Sequence, residues 1–246
     1  MNGSEGSFLD HLEALRRTLL SCFAALLVLY PAAYLLTPHL ISALIHHAFG
    51  SGTQMLHYFG PMDMFRIKLE TALILDLMLS FPWMLWQGWK FLMPALYANE
   101  RRILAGGVLT SSLLFAGGAA FSAICILPLV MQFSFTFASA QVQPMLGITN
   151  FLTLAGWLML AFGVMFQTPL CVLFAVSIGF ITTEQLRHLR PYVMTVILIL
   201  AAILTPPDVF SQLMLAIPTW LLYEGALCVA ERIERAQAVP AALKKS

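Results

Sequence analysis

Long apolar stretches separated by short polar connections run through the whole chain. A helix needs about 20 mostly apolar residues to cross the roughly 30 Å hydrocarbon core of a bilayer. Six stretches come near or reach that length: residues 19–36, 69–89, 103–127, 151–178, 192–204 and 209–229. The pattern therefore predicts an all-α, polytopic membrane protein with six transmembrane helices. Residues 1–246 are interpreted as one membrane domain, since no soluble domain, internal repeat or low-complexity segment is evident.

Prolines, glycines and charged residues mark the connections. Residues 37–63 carry prolines, glycines and histidines, 138–150 are polar, 182–191 are charged, and two prolines follow Thr205. Proline removes a backbone donor and disfavours continuation of a helix. We therefore expect the helices to break there, with residues 38–48 lying along the outer membrane surface as an amphipathic segment.

The last two spans are predicted to be short. The fifth, from Tyr192 to Leu204, has thirteen residues, or about 20 Å at the helical rise of 1.5 Å per residue. The sixth meets an acid, Glu224, fifteen residues after Val209. Two undersized neighbouring helices thin the bilayer beside them or are shielded by a partner, which is a physical hint of function.

Lysine and arginine are distributed unevenly between the two sides of the predicted domain. Arg66 and Lys68 lie on one side, and the other eleven of the thirteen basic residues lie on the opposite side. Cytoplasmic loops of membrane proteins carry the excess of these residues. Both termini, the connection that holds residues 97–102 and a tail at 231–246 are therefore predicted to be cytoplasmic.

Composition and motifs exclude several classes of protein. Hydrophobic residues make up 60% of the chain and charged residues 10%, against about 25% charged residues in a soluble domain. No GxxxxGK, GxSxG or HExxH motif occurs, so the sequence indicates no enzyme, cofactor or metal site. The basic residues are scattered along one membrane face, which does not favour nucleic-acid binding. The four cysteines lie apart in apolar runs and are interpreted as packed thiols.

Polar side chains inside or near the spans are candidates for function, because an unpaired ionisable group in the membrane is costly. For Glu70, one helical turn from Arg66, a local ion pair is favoured over a site. Asp76 is either protonated or bonded to another helix, and both function and packing remain open. Gln167 precedes Pro169, and its amide is placed to satisfy the carbonyl that a proline leaves free.

The connection "YANERR" (97–102) concentrates three charges in a chain that has few. Glu100 stands beside Arg101 and Arg102, which is typical either of a solvated loop or of a receptor for a charged ligand. An arginine fork matches a carboxylate bidentately, and a charge-assisted hydrogen bond contributes about 1.5–3 kcal/mol. Micromolar binding needs about 8 kcal/mol, so a receptor here combines Glu100 with an apolar groove, while the arginines pin the loop to anionic lipid.

Several segments together resemble one family. They are "FLDHLEALRRTL" (8–19), "WQGWKFLMPALYANERR" (86–102), "FGVMFQTP" (162–169) and "LTPPDVFSQLMLAIP" (204–218), with "FAGGAAF" and "LRHLRPYV" between them. Their order and spacing match the TatC family, the multispanning subunit of the twin-arginine protein translocase, from residue 8 to about 232. Each segment alone is a weak signal, whereas the ordered set is specific.

The resemblance implies a function in protein export. TatC proteins recognise signal peptides with consecutive arginines at the cytoplasmic face and, with small single-span partners of the TatA and TatB type, move folded proteins across the bacterial cytoplasmic (inner) membrane. The proton-motive force drives this transport, in keeping with a chain that has no nucleotide-binding motif. A homo-oligomeric receptor complex embedded in the lipid bilayer is also implied.

The resemblance also implies a surface that binds the signal peptide. The glutamate that contacts the signal's arginine pair corresponds to Glu100, and Phe91, Arg101 and Arg102 belong to the same surface. Relatives typically carry a second acid where this chain has Ala14.

Near that position the chain offers Glu13, with Arg16 and Arg17 after it. A shift by one residue rotates a helical side chain by about 100°. Glu13 therefore either faces elsewhere, pairs with Arg16 or Arg17, or replaces the missing acid.

A second implied region lies on the short spans. Thr205 and Gln212 match a polar patch where the partner helix docks, and Asp208 matches an outer-loop position that matters in the family. Gln167 stands where many relatives have an acid. No family role is implied for Asp76.

One alternative function is a secondary transporter of a small solute, with Asp76 and Gln167 as its midplane site. Such a transporter predicts related halves and helices broken at matching positions, and the sequence has neither.

Overall fold

The computed structural model describes residues 3–49, 56–92, 101–136, 145–205 and 209–243. Within these ranges the elements are α1 (Gly3–Phe49), α2 (Asp63–Leu92), α3 (Arg101–Phe121), a π-helical segment (Ser122–Ile126), α4 (Leu127–Phe135), α5 (Ile148–Met165), α6 (Thr168–Ser177), α7 (Thr183–His188), α8 (Arg190–Leu204) and α9 (Val209–Leu243). The only extended pairing among them is an isolated bridge between His57 and Gly147. The prediction of an all-α fold is confirmed.

Five helical stretches of the described chain are long and apolar enough to cross a membrane: Leu12–Phe49, Asp63–Phe91, Gly106–Phe135, Ile148–Ser177 and Val209–Arg232. A further apolar helix, α8, has 15 residues, or about 22 Å of length. The chain is therefore a polytopic membrane protein, and its fifth predicted span is short as expected.

The sixth span is longer than expected. α9 continues without a break for 35 residues, and its apolar part reaches Arg232. Glu224 does not shorten this span because its carboxylate pairs with Arg190 at 2.6 Å. Residues 231–243, expected to form a separate tail, continue the same helix.

The prediction that the first helix ends at residue 36 is wrong. α1 contains both Pro31 and Pro38 and continues to Phe49, so residues 38–48 are its last part and not a separate segment. The hydroxyl of Thr37, which is fully buried, donates to the carbonyl of Ala33 at 2.8 Å. The carbonyl that Pro38 cannot bond is that of Tyr34, four residues earlier, so the Thr37 bond does not replace the missing one, and α1 continues because membrane helices tolerate proline within a span.

The third and fourth spans change geometry beside a proline. The third continues past its predicted end at 127 to Phe135, through the π-helical segment. There the amide of Leu127 bonds the carbonyl of Ser122, five residues earlier, immediately before Pro128. The fourth, predicted as 151–178, divides into α5 and α6 two residues before Pro169.

The chain divides into two compact units. Unit 1 comprises Met1–Leu113 and Met145–Gly156, and unit 2 comprises Leu114–Pro144 and Trp157–Ser246. α3 and α5 each contribute to both units. The interpretation of residues 1–246 as one domain stays a prediction.

In unit 1, α2 packs against α1 and the start of α5. Ile74 of α2 fills the space above Gly156, where an added Cβ would lie 2.4 Å from its Cδ1 atom. At one end, Lys68 lies over the ring of Tyr34, 4.3 Å from the centroid. Because residues late in α1 meet residues early in α2, these two helices run antiparallel.

In unit 2, α3 and α5 approach closely through small residues. A Cβ at Gly118 would lie 2.6 Å from the carbonyl oxygen of Phe162, and one at Gly163 would lie 2.6 Å from the ring of Phe115. Small residues let membrane helices pack at short range, where van der Waals contact drives association. Elsewhere in this unit α6, α7 and α8 pack against α9.

Candidate functional site

Glu13 lies in the amino-terminal part of α1. The sequence leaves three alternatives for its side chain. Glu13 Oε1 accepts a hydrogen bond from Arg17 Nη2 at 2.6 Å, a pair one helical turn apart with both side chains mostly exposed. The predicted alternative of pairing with Arg17 is therefore the one observed, and Arg16 is exposed. An exposed pair of this type contributes at most about 1 kcal/mol, so it does not prevent Glu13 from binding another cation.

Phe91 lies in the last turn of α2 and is half-buried. α3 begins at Arg101, so Phe91 and Arg101 stand at the two helix ends that flank the connection. Glu100 lies outside the described residues, as do the side chains of Arg101 and Arg102. Of this predicted surface, the structure describes the end of α2 and the beginning of α3.

A polar cluster that sequence reasoning missed joins α1 to α2 near these ends. The hydroxyl oxygen of Ser21 accepts hydrogen bonds from the indole of Trp83, at 3.2 Å, and from the amide of Gln87. Both donors and the acceptor lie in apolar runs, where a polar side chain needs a partner. The sequence signal was present, because "WQGW" places Gln87 within a predicted span.

This Ser21 cluster brings the candidate residues to the same end of unit 1. Glu13 lies eight residues before Ser21, about 12 Å along α1, and Phe91 lies four residues after Gln87, about 6 Å along α2. Since the helices are antiparallel, both displacements point the same way. An acid of α1 and an aromatic ring of α2 are therefore grouped at this end, and the early part of α3 lies there too, because a Cβ at Gly107 would be 4.0 Å from the ring of Trp89.

Glu70 does not form the local ion pair that was favoured. Among the described residues, its Oε1 atom accepts a hydrogen bond from Thr153 of α5 at 3.0 Å, and the ion pairs present there do not include Arg66. A contact between helices replaces the pair within one helix, because α5 packs directly beside Glu70.

Asp76 is almost completely buried in α2, with 1% of its surface exposed. Its Oδ1 atom accepts a hydrogen bond from the hydroxyl of Ser80 at 3.4 Å, and Ser80 is itself fully buried. This hydrogen bond lies within α2, so it is not the bond to another helix that was one of the two alternatives for Asp76.

Gln167 lies at the break between α5 and α6. Its amide donates to the carbonyl of Gly163 at 3.4 Å, and the hydroxyl of Thr168 donates to the carbonyl of Met165 at 2.6 Å. The Met165 carbonyl is the one that Pro169, four residues later, cannot bond. Thr168, and not Gln167 as expected, therefore satisfies the carbonyl that Pro169 leaves free, while Gln167 bonds a second carbonyl at the same break.

The predicted docking patch lies where α8 ends and α9 begins. Thr205 is buried, and its hydroxyl donates to the carbonyl of Ala201 at 2.8 Å. The amide of Gln212 donates to the carbonyl of Leu198 at 3.1 Å and so links the two helices. Asp208 lies outside the described residues.

A second cluster missed by sequence reasoning ties α7 and the start of α8 to α9. Arg190 pairs with Glu224 at 2.6 Å, and Arg187 Nε donates to Glu231 at 2.7 Å. The hydroxyl of Tyr223 donates to the carbonyl of Leu186 at 2.9 Å. Glu224 and Glu231 are seven residues apart, on one face of a helix, and this spacing was the available signal.

No group of three or more His, Cys, Asp or Glu side chains suited to a metal ion occurs in the described part of the chain. The four cysteines are free thiols. The chemistry of the described site is therefore that of carboxylates, guanidinium groups, amides and hydroxyls set at helix ends and between helices.

Comparison with known proteins identifies the family. Residues 10–218 match the family model described as Sec-independent protein translocase protein (TatC). The Sec-independent protein translocase protein TatC of Escherichia coli K12 is 35% identical over 219 residues, which cover 88% of this chain and 84% of that protein. The TatC protein of Halalkalibacterium halodurans is 31% identical over 234 residues, covering 94% and 91%.

A solved structure gives the same result. The crystal structure described as twin arginine translocase receptor TatC in DDM superposes with a TM-score of 0.81 at 30% identity, covering 89% of this chain and 99% of that one. The comparisons give no support to the alternative of a small-solute transporter with Asp76 and Gln167 as its site. This chain belongs to the TatC family and is a Sec-independent protein translocase subunit of the twin-arginine system, with a role in transport.

Proposed function

We propose that this chain is the core subunit that receives twin-arginine signal peptides at the cytoplasmic face of the bacterial inner membrane, with Glu100 as the contact for the arginine pair. Both termini and residues 93–100 lie on that face in this proposal. The observation that carries it is the grouping of Glu13, Phe91 and the start of α3 at one end of unit 1, held by the Ser21 cluster.

Energetics supports a site that is only partly polar. One or two charge-assisted bonds supply about 1.5–3 kcal/mol each, less than the roughly 8 kcal/mol of micromolar binding. The remainder comes from apolar contact, and α1 exposes Leu20, which lies seven residues after Glu13 and so on the same helix face. A signal peptide whose arginines are followed by an apolar segment matches that combination of charge and apolar surface.

The signal-peptide surface in this proposal consists of Glu100, Phe91, Arg101, Arg102, Glu13, Arg16 and Arg17. Glu13 serves as the second carboxylate in place of the acid missing at Ala14. Arg101 and Arg102 contact anionic lipid, which leaves the carboxylates for the ligand.

The second proposed contact is with small single-span subunits of the TatA and TatB type. It uses Thr205 and Gln212 at the junction of α8 and α9, beside the outer-loop residue Asp208. The short α8 supports this assignment, because a helix of about 22 Å leaves a mismatch with the bilayer that a partner helix relieves. In this proposal the chain catalyses no reaction and belongs to a homo-oligomeric receptor complex. The proton-motive force drives the transport.

The experiment that tests the receptor role uses Glu100→Gln. A photoreactive signal peptide with two consecutive arginines is crosslinked to membranes that contain the variant. We expect crosslinking to fall at least tenfold with unchanged membrane insertion, since about 1.5–3 kcal/mol is lost with the charge. Glu184→Gln, at an exposed acid of α7, is the matched control and keeps wild-type crosslinking. Undiminished crosslinking of Glu100→Gln contradicts the proposal.

A further inference from the structure

Asp76 occupies the middle of a membrane span. The apolar stretch of α2 extends from Asp63 to Phe91, so its central residue is 77. Asp76 and its partner Ser80 are both buried, with 1% and 0% of their surfaces exposed. An ionisable side chain at this depth is expensive and marks a functional site in many membrane proteins.

Among the described residues of unit 1, no cation is placed to pair with this carboxyl group. The three described ion pairs do not involve Asp76. α1 from Thr18 to Pro38, α3 from Ile103 to Phe121 and the whole of α5 contain no Asp, Glu, Lys, Arg or His. α1 and α5 pack against α2, and α3 approaches it at Trp89, so none of these three helices supplies a charge at the level of Asp76.

The other charged residues of α2 are distant from Asp76, and two of them contact other side chains. Glu70 is six residues away, about 9 Å along the helix, and accepts a bond from Thr153. Lys68 is about 12 Å away by the same rise and lies over the ring of Tyr34. Arg66 and Asp63 are farther still, and Lys90 is about 21 Å away in the opposite direction.

Asp76 also begins a polar stripe along α2. Asp76, Ser80, Trp83 and Gln87 follow one another at intervals of four, three and four residues, which places them on one face of a helix. The stripe ends at the hydroxyl of Ser21, which accepts bonds from both Trp83 and Gln87. It therefore connects the middle of the span with the end of unit 1 that carries Glu13 and Phe91, about 16 Å from Asp76 to Gln87.

We propose that Asp76 is an intramembrane proton-binding site. An ionised carboxylate without a cation in hydrocarbon costs far more than a neutral acid, so binding a proton is the favourable state. The proton resides on Oδ2, while Ser80 donates its hydroxyl hydrogen to Oδ1. On release, the Oδ2–H bond breaks, the electron pair stays on the carboxylate, and a water molecule that enters beside the polar stripe from the Ser21 end accepts the proton as hydronium. Uptake is the reverse of this step.

Infrared spectroscopy of the purified full-length chain in lipid tests this proposal. We expect a carbonyl band of a protonated carboxylic acid at neutral pH that disappears in Asp76→Asn and remains in Glu13→Gln, whose exposed side chain lies in water. On transfer to D2O the band shifts within minutes, because the site exchanges its proton. The hydrophobic reagent dicyclohexylcarbodiimide, which attacks protonated carboxyl groups, modifies Asp76 and leaves Glu13 unmodified.

Two further variants keep the test decisive if Asp76→Asn does not fold. Ser80→Ala removes the donor to Oδ1 and moves the same band to higher frequency. Gln87→Leu interrupts the stripe and slows the shift in D2O at least threefold. Absence of a protonated-acid band, a band that Ser80→Ala leaves in place, or a band that does not exchange in D2O each overturns the proposal. The twin-arginine contact at Glu100 is tested separately and does not depend on this outcome.

Discussion

The side-chain amide of Gln212, in the first turn of α9, donates a hydrogen bond to the backbone carbonyl of Leu198 in α8 at 3.1 Å. The amide therefore sets the position of the short helix relative to the long one. A residue assigned to partner docking has a structural task as well, and a partner helix meets a junction that is already bonded. The geometry of that junction, rather than a free amide, is what we expect a partner to recognise.

We predict that Gln212→Leu weakens recovery of a small single-span partner. Loss of a side-chain hydrogen bond costs about 0.5–1.5 kcal/mol, which corresponds to a decrease of roughly two- to tenfold in co-purification at matched expression. Gln87→Leu makes the same chemical change in unit 1 and serves as the control with unchanged partner recovery. Equal recovery with both variants contradicts the docking role of Gln212.

The Ser21 cluster gives the complementary prediction. Gln87→Leu removes one of the two donors to Ser21 and loosens the contact that groups Glu13 with Phe91. We expect crosslinking of a twin-arginine signal peptide to fall by roughly two- to tenfold, from the same cost of about 0.5–1.5 kcal/mol. Gln212→Leu is now the control and retains signal-peptide crosslinking. If Gln87→Leu crosslinks like the wild type, the cluster does not position the surface.

The ion pair between Glu13 and Arg17 predicts that substitutions of Arg16 and of Arg17 change the affinity for the signal peptide by different amounts. Arg17→Gln releases Glu13 for the signal peptide, whereas Arg16→Gln changes the net charge equally without breaking an ion pair of the described chain. An exposed pair contributes at most about 1 kcal/mol, so titration of a labelled signal peptide should show up to about fivefold tighter binding for Arg17→Gln than for Arg16→Gln. Identical affinities for the two variants mean that Glu13 does not bind the signal.

Much of the fold follows from the apolar pattern. Runs of apolar residues located the spans, and the thirteen mostly apolar residues from Tyr192 to Leu204 identified the short helix, which the structure extends only to Arg190. Proline was the misleading signal. Pro38 was expected to end a helix, yet α1 continues through it to Phe49, because membrane helices tolerate proline within a span.

The parts that sequence could not predict depend on contacts between helices. The π-helical segment has no distinctive local sequence apart from Pro128, and it arises where α3 packs closely against α5. Glu224 was expected to shorten the sixth span, but it pairs with Arg190, and that pairing depends on how α8 folds back on α9. Family resemblance named Glu100, which lies outside the described residues, so its role rests on the proposal above.

The close approach of α3 and α5 predicts that two adjacent glycines differ in how well they tolerate substitution by alanine. A Cβ at Gly118 would lie 2.6 Å from the carbonyl oxygen of Phe162, whereas one at Gly117 meets nothing within 4 Å. Backbone cannot move aside as a flexible side chain does, so Gly118→Ala forces the helices apart and should lower the free energy of unfolding by about 1–3 kcal/mol. Gly117→Ala gains the helical preference of alanine, about 0.5–1 kcal/mol. Thermal unfolding in detergent should therefore show a lower midpoint for Gly118→Ala and an equal or higher one for Gly117→Ala, and matching losses in both would mean that the helices are not in contact at this residue.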